Sequence, residues 1–153
     1  MTTQTTLLDI ATVTELTAAI DELTQRLQPG DHLGFVGPLG AGKTTMIQQL
    51  GARLGVTSPI DSPTFTLRQS YPLSSTRKNS LRRLVHYDLY RLETESALAE
   101  TGFQDDWHSR EDLLVIEWVD RFPYLLQQLD FLVTIRVNHQ TNHRSIEIKE
   151  QRP

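Results

Sequence analysis

The sequence predicts an α/β fold of three layers, a central mixed β-sheet flanked by helices. Three observations point there. Unbroken apolar runs suited to buried strands, such as Leu33 to Val36 and Leu113 to Ile116, alternate with stretches of helical period. One of those runs leads through a glycine-rich turn straight into an amphipathic helix. Near the end, two segments alternate apolar and polar residues on either side of a polar turn, which predicts an antiparallel hairpin. The 153 residues fit a single domain, 1–153, large enough to bury a core.

Taken in order, Thr6 to Ile10 reads as a short first strand. Thr12 as N-cap with Glu15 three residues on forms a capping box. Leu16, Ile20, Leu23 and Leu27 mark one face of the helix that follows, and Pro29-Gly30-Asp31 stops it. His32 to Val36 is a strand. A helix from Lys43 to about Leu54 turns Met46, Leu50 and Leu54 inward and ends at Gly55. Ser58 to Phe65 carries two prolines and reads as loop, with a strand over Thr64 to Tyr71. Pro72 to Arg83 is polar; Arg77, Lys78, Arg82 and Arg83 read either as a solvated hairpin loop or as a contact to RNA or an acidic partner. Leu84 to Leu89 is a strand holding Asp88. Glu93 to Thr101 is a short helix closed by Gly102, and Leu113 to Ile116 is a strand running into Glu117. Phe131 to Val137 and Ser145 to Lys149 make the closing hairpin.

Composition narrows the function. A net charge of −4 argues against a strongly basic, autonomous nucleic-acid binder. The absence of cysteine excludes a disulfide framework and a thiolate metal site. The first residues lack a basic segment before a long apolar core, and no stretch reaches the ~18 apolar residues of a membrane span. A cytoplasmic protein, with neither membrane nor DNA among its partners, is the expectation.

Gly37-Pro38-Leu39-Gly40-Ala41-Gly42-Lys43-Thr44 is G-x-x-x-x-G-K-[ST] in its strand–loop–helix setting, so the fold is expected to be P-loop NTPase-like. Small residues let the amides of Gly40, Ala41, Gly42 and Lys43 turn toward a phosphate, at the positive end of a helix that Lys43, Thr44 and Thr45 open. Lys43 reaches the β and γ phosphates and the Thr44 hydroxyl ligates Mg²⁺. Such a loop needs an acidic partner for metal and water. Glu117 and Asp88 both end apolar strands, where ligands of parallel α/β sheets bind. Thr64, in the proline-flanked loop, reads either as part of a switch segment that senses a γ-phosphate or as part of a plain connection. Trp118 either packs in the core or stacks on a base or a partner. The five histidines lack metal-ligand spacing, and His86 is expected to be packed or hydrogen-bonded.

GPLGAGKTT, DSPTFTL, HYDLYRL and VIEW, in this order, resemble the TsaE family, formerly called YjeE: small bacterial ATPases of tRNA threonylcarbamoyladenosine biosynthesis. The resemblance runs from about Thr14 to Arg144. It implies ATP and Mg²⁺ as cofactors and slow hydrolysis by the chain alone. It also implies the TsaB and TsaD proteins as partners, with tRNA engaged only through their complex. By the same resemblance Lys43 contacts phosphates, and Thr44 and Glu117 hold Mg²⁺. Thr64 and Asp88 belong to the switch and water-ordering elements. Trp118 fills the IEW position, and Thr14 and Arg144 flank the nucleotide. Pro38 stands where the family commonly has Asp, and Asp21 where it commonly has Gly, while Thr17 matches a family Thr. Two other functions use the same loop: a small-molecule kinase, against which no arginine-rich lid segment follows the core, and a non-catalytic nucleotide sensor.

Overall fold

The computed structural model describes residues 3–74 and 80–152. Its seven strands are β1 (Gln4–Ile10), β2 (His32–Val36), β3 (Arg68–Pro72), β4 (Arg83–Asp88), β5 (Asp112–Glu117), β6 (Phe131–Val137) and β7 (Arg144–Glu150). The helices are α1 (Val13–Arg26), α2 (Lys43–Leu54), α3 (Glu95–Glu100) and α4 (Phe103–His108), with 3-10 turns at Val119–Arg121 and Pro123–Leu125. The strands form one sheet in the order β1-β7-β6-β2-β5-β4-β3. β6, β2, β5 and β4 are parallel, and antiparallel β7–β1 and β3 extend the two sides. This is the mixed sheet of a P-loop NTPase-like α/β fold.

Alternation along the strands builds two cores. Leu84, Leu113, Val115, Phe131 and Val133 face α1 and α2, where they meet Ile20, Leu23, Met46, Ile47, Leu50 and Leu54. Val85, Tyr87, Leu114 and Ile116 face the other way, against Leu98, Phe103, Val119 and Leu125. All six residues of β5 are buried, as its unbroken apolar run requires in a strand covered on both faces. The capping box at α1 forms: Thr12 Oγ1 accepts from Glu15 N, and the Glu15 carboxylate accepts from the amides of Ala11 and Thr12. Gly55 ends α2 in the left-handed region. Asp21 of α1 pairs with Arg53 of α2, so the residue that departs from the family pattern ties the two helices together.

Several elements differ from the sequence reading. β3 begins at Arg68, not Thr64: Leu67 N donates to Pro63 O, which curls residues 63–67 into a turn before extended pairing starts. α3 is shorter than Glu93–Thr101, because the Thr94 hydroxyl caps it by accepting from Ala97 N. α4 was not anticipated; Gly102, read as a stop, is also its N-cap at φ +85°. Arg82 is an exposed loop residue, as the sequence reading has it, but Arg83 is not. Arg83 opens β4 and donates to buried Asp112 at 2.7 Å, and Arg82 lies 3.3 Å from Glu111. Arg77 and Lys78 lie outside the described residues. Among the described residues no helix is long and apolar enough to cross a membrane.

Candidate functional site

Parallel strands place the chemistry at one edge of the sheet. The glycine turn leaves the carboxyl end of β2, Asp88 ends β4 and Glu117 ends β5, and the register sets Asp88 directly beside Glu117. The first strand and the closing hairpin end at the same edge, where Ile10, Val137 and Arg144 are paired.

The turn is shaped by its glycines. Gly40 and Gly42 adopt φ of +74° and +106°, and Gly42 is the N-cap of α2. A methyl group added at either would meet no protein atom within 4 Å, so the space beside the loop at the helix N-terminus is open. Pro38 contributes through its carbonyl, which accepts from Ala41 N at 3.1 Å and from Lys43 Nζ at 2.9 Å. Lys43 also donates to Gly37 O at 2.6 Å and sits 4.1 Å from the centre of the Trp118 ring. The residue is only 5% exposed; burial pushes its pKa down, against the pull of Glu117, Asp88 and Asp120. Trp118 is half-buried at φ +57°, held against Tyr90 with ring centres 4.7 Å apart. It therefore packs against Tyr90 and also meets the lysine.

The Thr44 hydroxyl donates to Glu117 Oε1 at 2.8 Å. Asp88 Oδ2 accepts from the hydroxyls of Ser62 and Thr64, both at 3.0 Å, and Oδ1 accepts from Tyr90 N. Lys43, Thr44, Thr64, Asp88, Glu117 and Trp118 thus line one cavity of about 320 Å³, roofed by residues 39–42. On the far side of the glycine turn a second cavity of about 290 Å³ lies between the β1–α1 junction and the closing hairpin. Thr45 belongs to both. Arg144 lines the second and ties the hairpin to the loop, donating through Nε to Ala41 O at 3.3 Å. Thr14 does not line it; its neighbours Thr12, Val13 and Leu16 do, while Thr14 is exposed on the first turn of α1.

The residues present fit a phosphate chain and a hard divalent cation. Backbone amides and Lys43 meet the first, while the oxygen donors of Thr44, Glu117 and Asp88 suit the second, with phosphate and water completing a cation held by few protein ligands. Among the described residues no three acidic or histidine side chains form a self-sufficient metal cage. The sequence did not single out Ser62 or Tyr90. Ser62 stands in the same proline-rich segment as Thr64 and carries the same hydroxyl, so that segment held the available signal.

A protein-family model described as "Threonylcarbamoyl adenosine biosynthesis protein TsaE" matches residues 10–146. The curated relatives include proteins named "tRNA threonylcarbamoyladenosine biosynthesis protein TsaE". That of Nostoc sp. is 40% identical over 67% of this chain and 60% of its own length, and that of Synechocystis sp. 37% identical over 70% and 66%. The Bacillus subtilis protein is 34% identical over 80% of this chain and 72% of its own. The matched part of this chain therefore spans about two thirds of the relatives' length. Among solved structures, Bacillus subtilis YdiB superposes with a TM-score of 0.75 over 99% of this chain and 89% of that one at 23% identity, a likeness of fold.

Proposed function

The chain belongs to the TsaE family, and from that premise and the geometry of the glycine turn we propose that it is a Mg·ATP-binding ATPase subunit serving tRNA threonylcarbamoyladenosine biosynthesis. The observation that carries the reading is the convergence of Lys43, Thr44, Thr64, Asp88 and Glu117 on a single cavity under the turn.

On this reading the amides of residues 40–43 and the α2 dipole bind the phosphates. Lys43 leaves the carbonyls of Gly37 and Pro38 to reach the terminal phosphate oxygens, a move within the length of its flexible side chain. Thr44 and Glu117 hold Mg²⁺, which when bound neutralises charge on the phosphate oxygens. Asp88 orders the attacking water, and Thr64, bonded to Asp88, reports the terminal phosphate to the loop that carries it. The nucleoside end occupies the cavity beyond Gly40, next to Arg144. Hydrolysis needs positioning and electrostatic stabilisation and no covalent chemistry from the protein.

By the same family argument the chain works in the cytoplasm with TsaB and TsaD proteins and meets tRNA through their complex. ATP hydrolysis resets that complex between turnovers. The test is reconstitution with TsaB, TsaD and unmodified tRNA. Modification beyond one turnover that requires both this chain and ATP supports the proposal. Modification that proceeds equally without ATP, or phosphate transferred to a small acceptor, refutes it.

A further inference from the structure

His86 is a fully buried ring beneath the cavity that the proposed chemistry does not use. It lies two residues before Asp88 on β4, so both side chains leave the strand on one face. Its Nε2 is 2.7 Å from Glu117 Oε2, while Glu117 Oε1 takes the Thr44 hydroxyl. The other ring nitrogen, Nδ1, is buried without a hydrogen-bond partner.

These contacts determine where the proton sits. A proton on Nε2 donates to the carboxylate and leaves only a lone pair unpaired at Nδ1. A proton on Nδ1 would bury an orphan donor and set the Nε2 lone pair against a carboxylate oxygen at 2.7 Å. The ring therefore donates to Glu117 through Nε2. Thr44 alone would leave the carboxylate free to turn about its last bond, and on the proposed reading the Thr44 oxygen would also serve the metal. A second donor on the second oxygen fixes the carboxylate plane. His86 can hold that position because it is sealed inside the sheet, opposite Val115 of β5.

We propose that His86 is a positioning residue that fixes the Glu117 carboxylate for Mg²⁺ through its Nε2–H. The proposal rests on the reading of Glu117 as a metal-holding residue. A histidine that merely fills the core would leave the metal requirement alone.

The experiment measures binding of a fluorescent ATP analogue, first in EDTA and then against rising Mg²⁺, alongside thermal melting. His86→Leu is expected to keep affinity in EDTA within about twofold and to need roughly 10- to 100-fold more Mg²⁺, the usual effect of removing a residue that orients a metal ligand. His86→Gln, whose amide reaches where Nε2 sits, restores most of the loss. In a Glu117→Gln background, His86→Leu adds nothing. Equal loss with and without Mg²⁺, an unchanged Mg²⁺ requirement, or an additive effect in the Glu117→Gln background overturns the proposal. If His86→Leu does not melt cooperatively, Gln and Asn decide: Asn reaches only as far as Nδ1, so it shows the Mg²⁺ defect and Gln does not, and equal behaviour of the two overturns the proposal. Should Glu117→Gln itself leave the Mg²⁺ requirement unchanged, the reading of Glu117 falls and the proposal with it. A shift in Glu117→Gln without one in the His86 variants removes the proposal alone.

Discussion

Replacing Gly42 by alanine separates the two things this residue does. Its φ of +106° is a conformation that glycine adopts freely, and an L side chain there costs about 1–2 kcal/mol. The new methyl group would meet no protein atom within 4 Å, so packing adds no further cost. At roughly 2–4 °C per kcal/mol for a chain of this size, Tm should fall by about 2–8 °C. Gly42 itself lines the cavity where the phosphates are proposed to lie, so the added methyl is expected to crowd them. Losing two amide hydrogen bonds to charged oxygens costs about 1.5–3 kcal/mol each. Affinity for Mg·ATP should then fall at least about 100-fold, far more than the change in stability suggests. Thermal melting gives the first quantity and calorimetric titration with Mg·ATP the second. A variant that melts lower as expected yet binds Mg·ATP like the parent would refute the reasoning, because the turn would not be the phosphate cradle.

Three further outcomes follow from the same geometry. Asp88→Asn, which keeps the acceptor for Thr64 but loses the charge, should lower single-turnover hydrolysis by about 10²- to 10⁴-fold, with nucleotide affinity in calorimetry within threefold, about 0.6 kcal/mol, of the parent. Arg144→Ala releases the hairpin from the Ala41 carbonyl and should weaken nucleotide binding about tenfold with little change in single-turnover rate. Burial pushes the Asp31 carboxyl up to about 6, partly offset by the amide of Gln28 and by Arg152. The folded state then binds a proton that the unfolded state has lost, so this group makes stability rise as pH falls from about 6 toward 4 and costs stability above 6. Asp31→Asn should flatten that part of a urea-denaturation profile and raise stability at pH 7 by about 1 kcal/mol.

The parallel core was legible because its signals are local. The glycine turn, the capping box at Thr12 and the closing hairpin each declare themselves within a few residues. α4 was hidden because FQDDWH is too short to show a period and begins at a glycine that reads as a stop. The start of β3 was misplaced because a single backbone bond, Leu67 to Pro63, decides it. The two strand-end acids could be paired with the turn from sequence because strand ends are where parallel sheets gather ligands. The partners that hold them could not. Ser62 reaches Asp88 across 26 residues and His86 reaches Glu117 across 31; the first contact depends on how the loop before β3 folds back, the second on the register of β4 beside β5. Thr14 marks the opposite case: the neighbourhood was right, but helix geometry turns Thr12, Val13 and Leu16 toward the cavity and leaves Thr14 outside. Arg83 reads as solvated in the sequence because its buried acidic partner, Asp112, lies 29 residues further on.

The account depends on a nucleotide's phosphates lying under the glycine turn, with the Thr44–Glu117 pair holding the metal. Calorimetric titration of ATP with and without Mg²⁺, on the parent chain and on Glu117→Ala, tests this most directly. The parent should bind with one-to-one stoichiometry and more tightly with Mg²⁺, and Glu117→Ala should lose that Mg²⁺ enhancement while still binding free ATP. No heat of binding in the parent, or an enhancement that survives in Glu117→Ala, would contradict it.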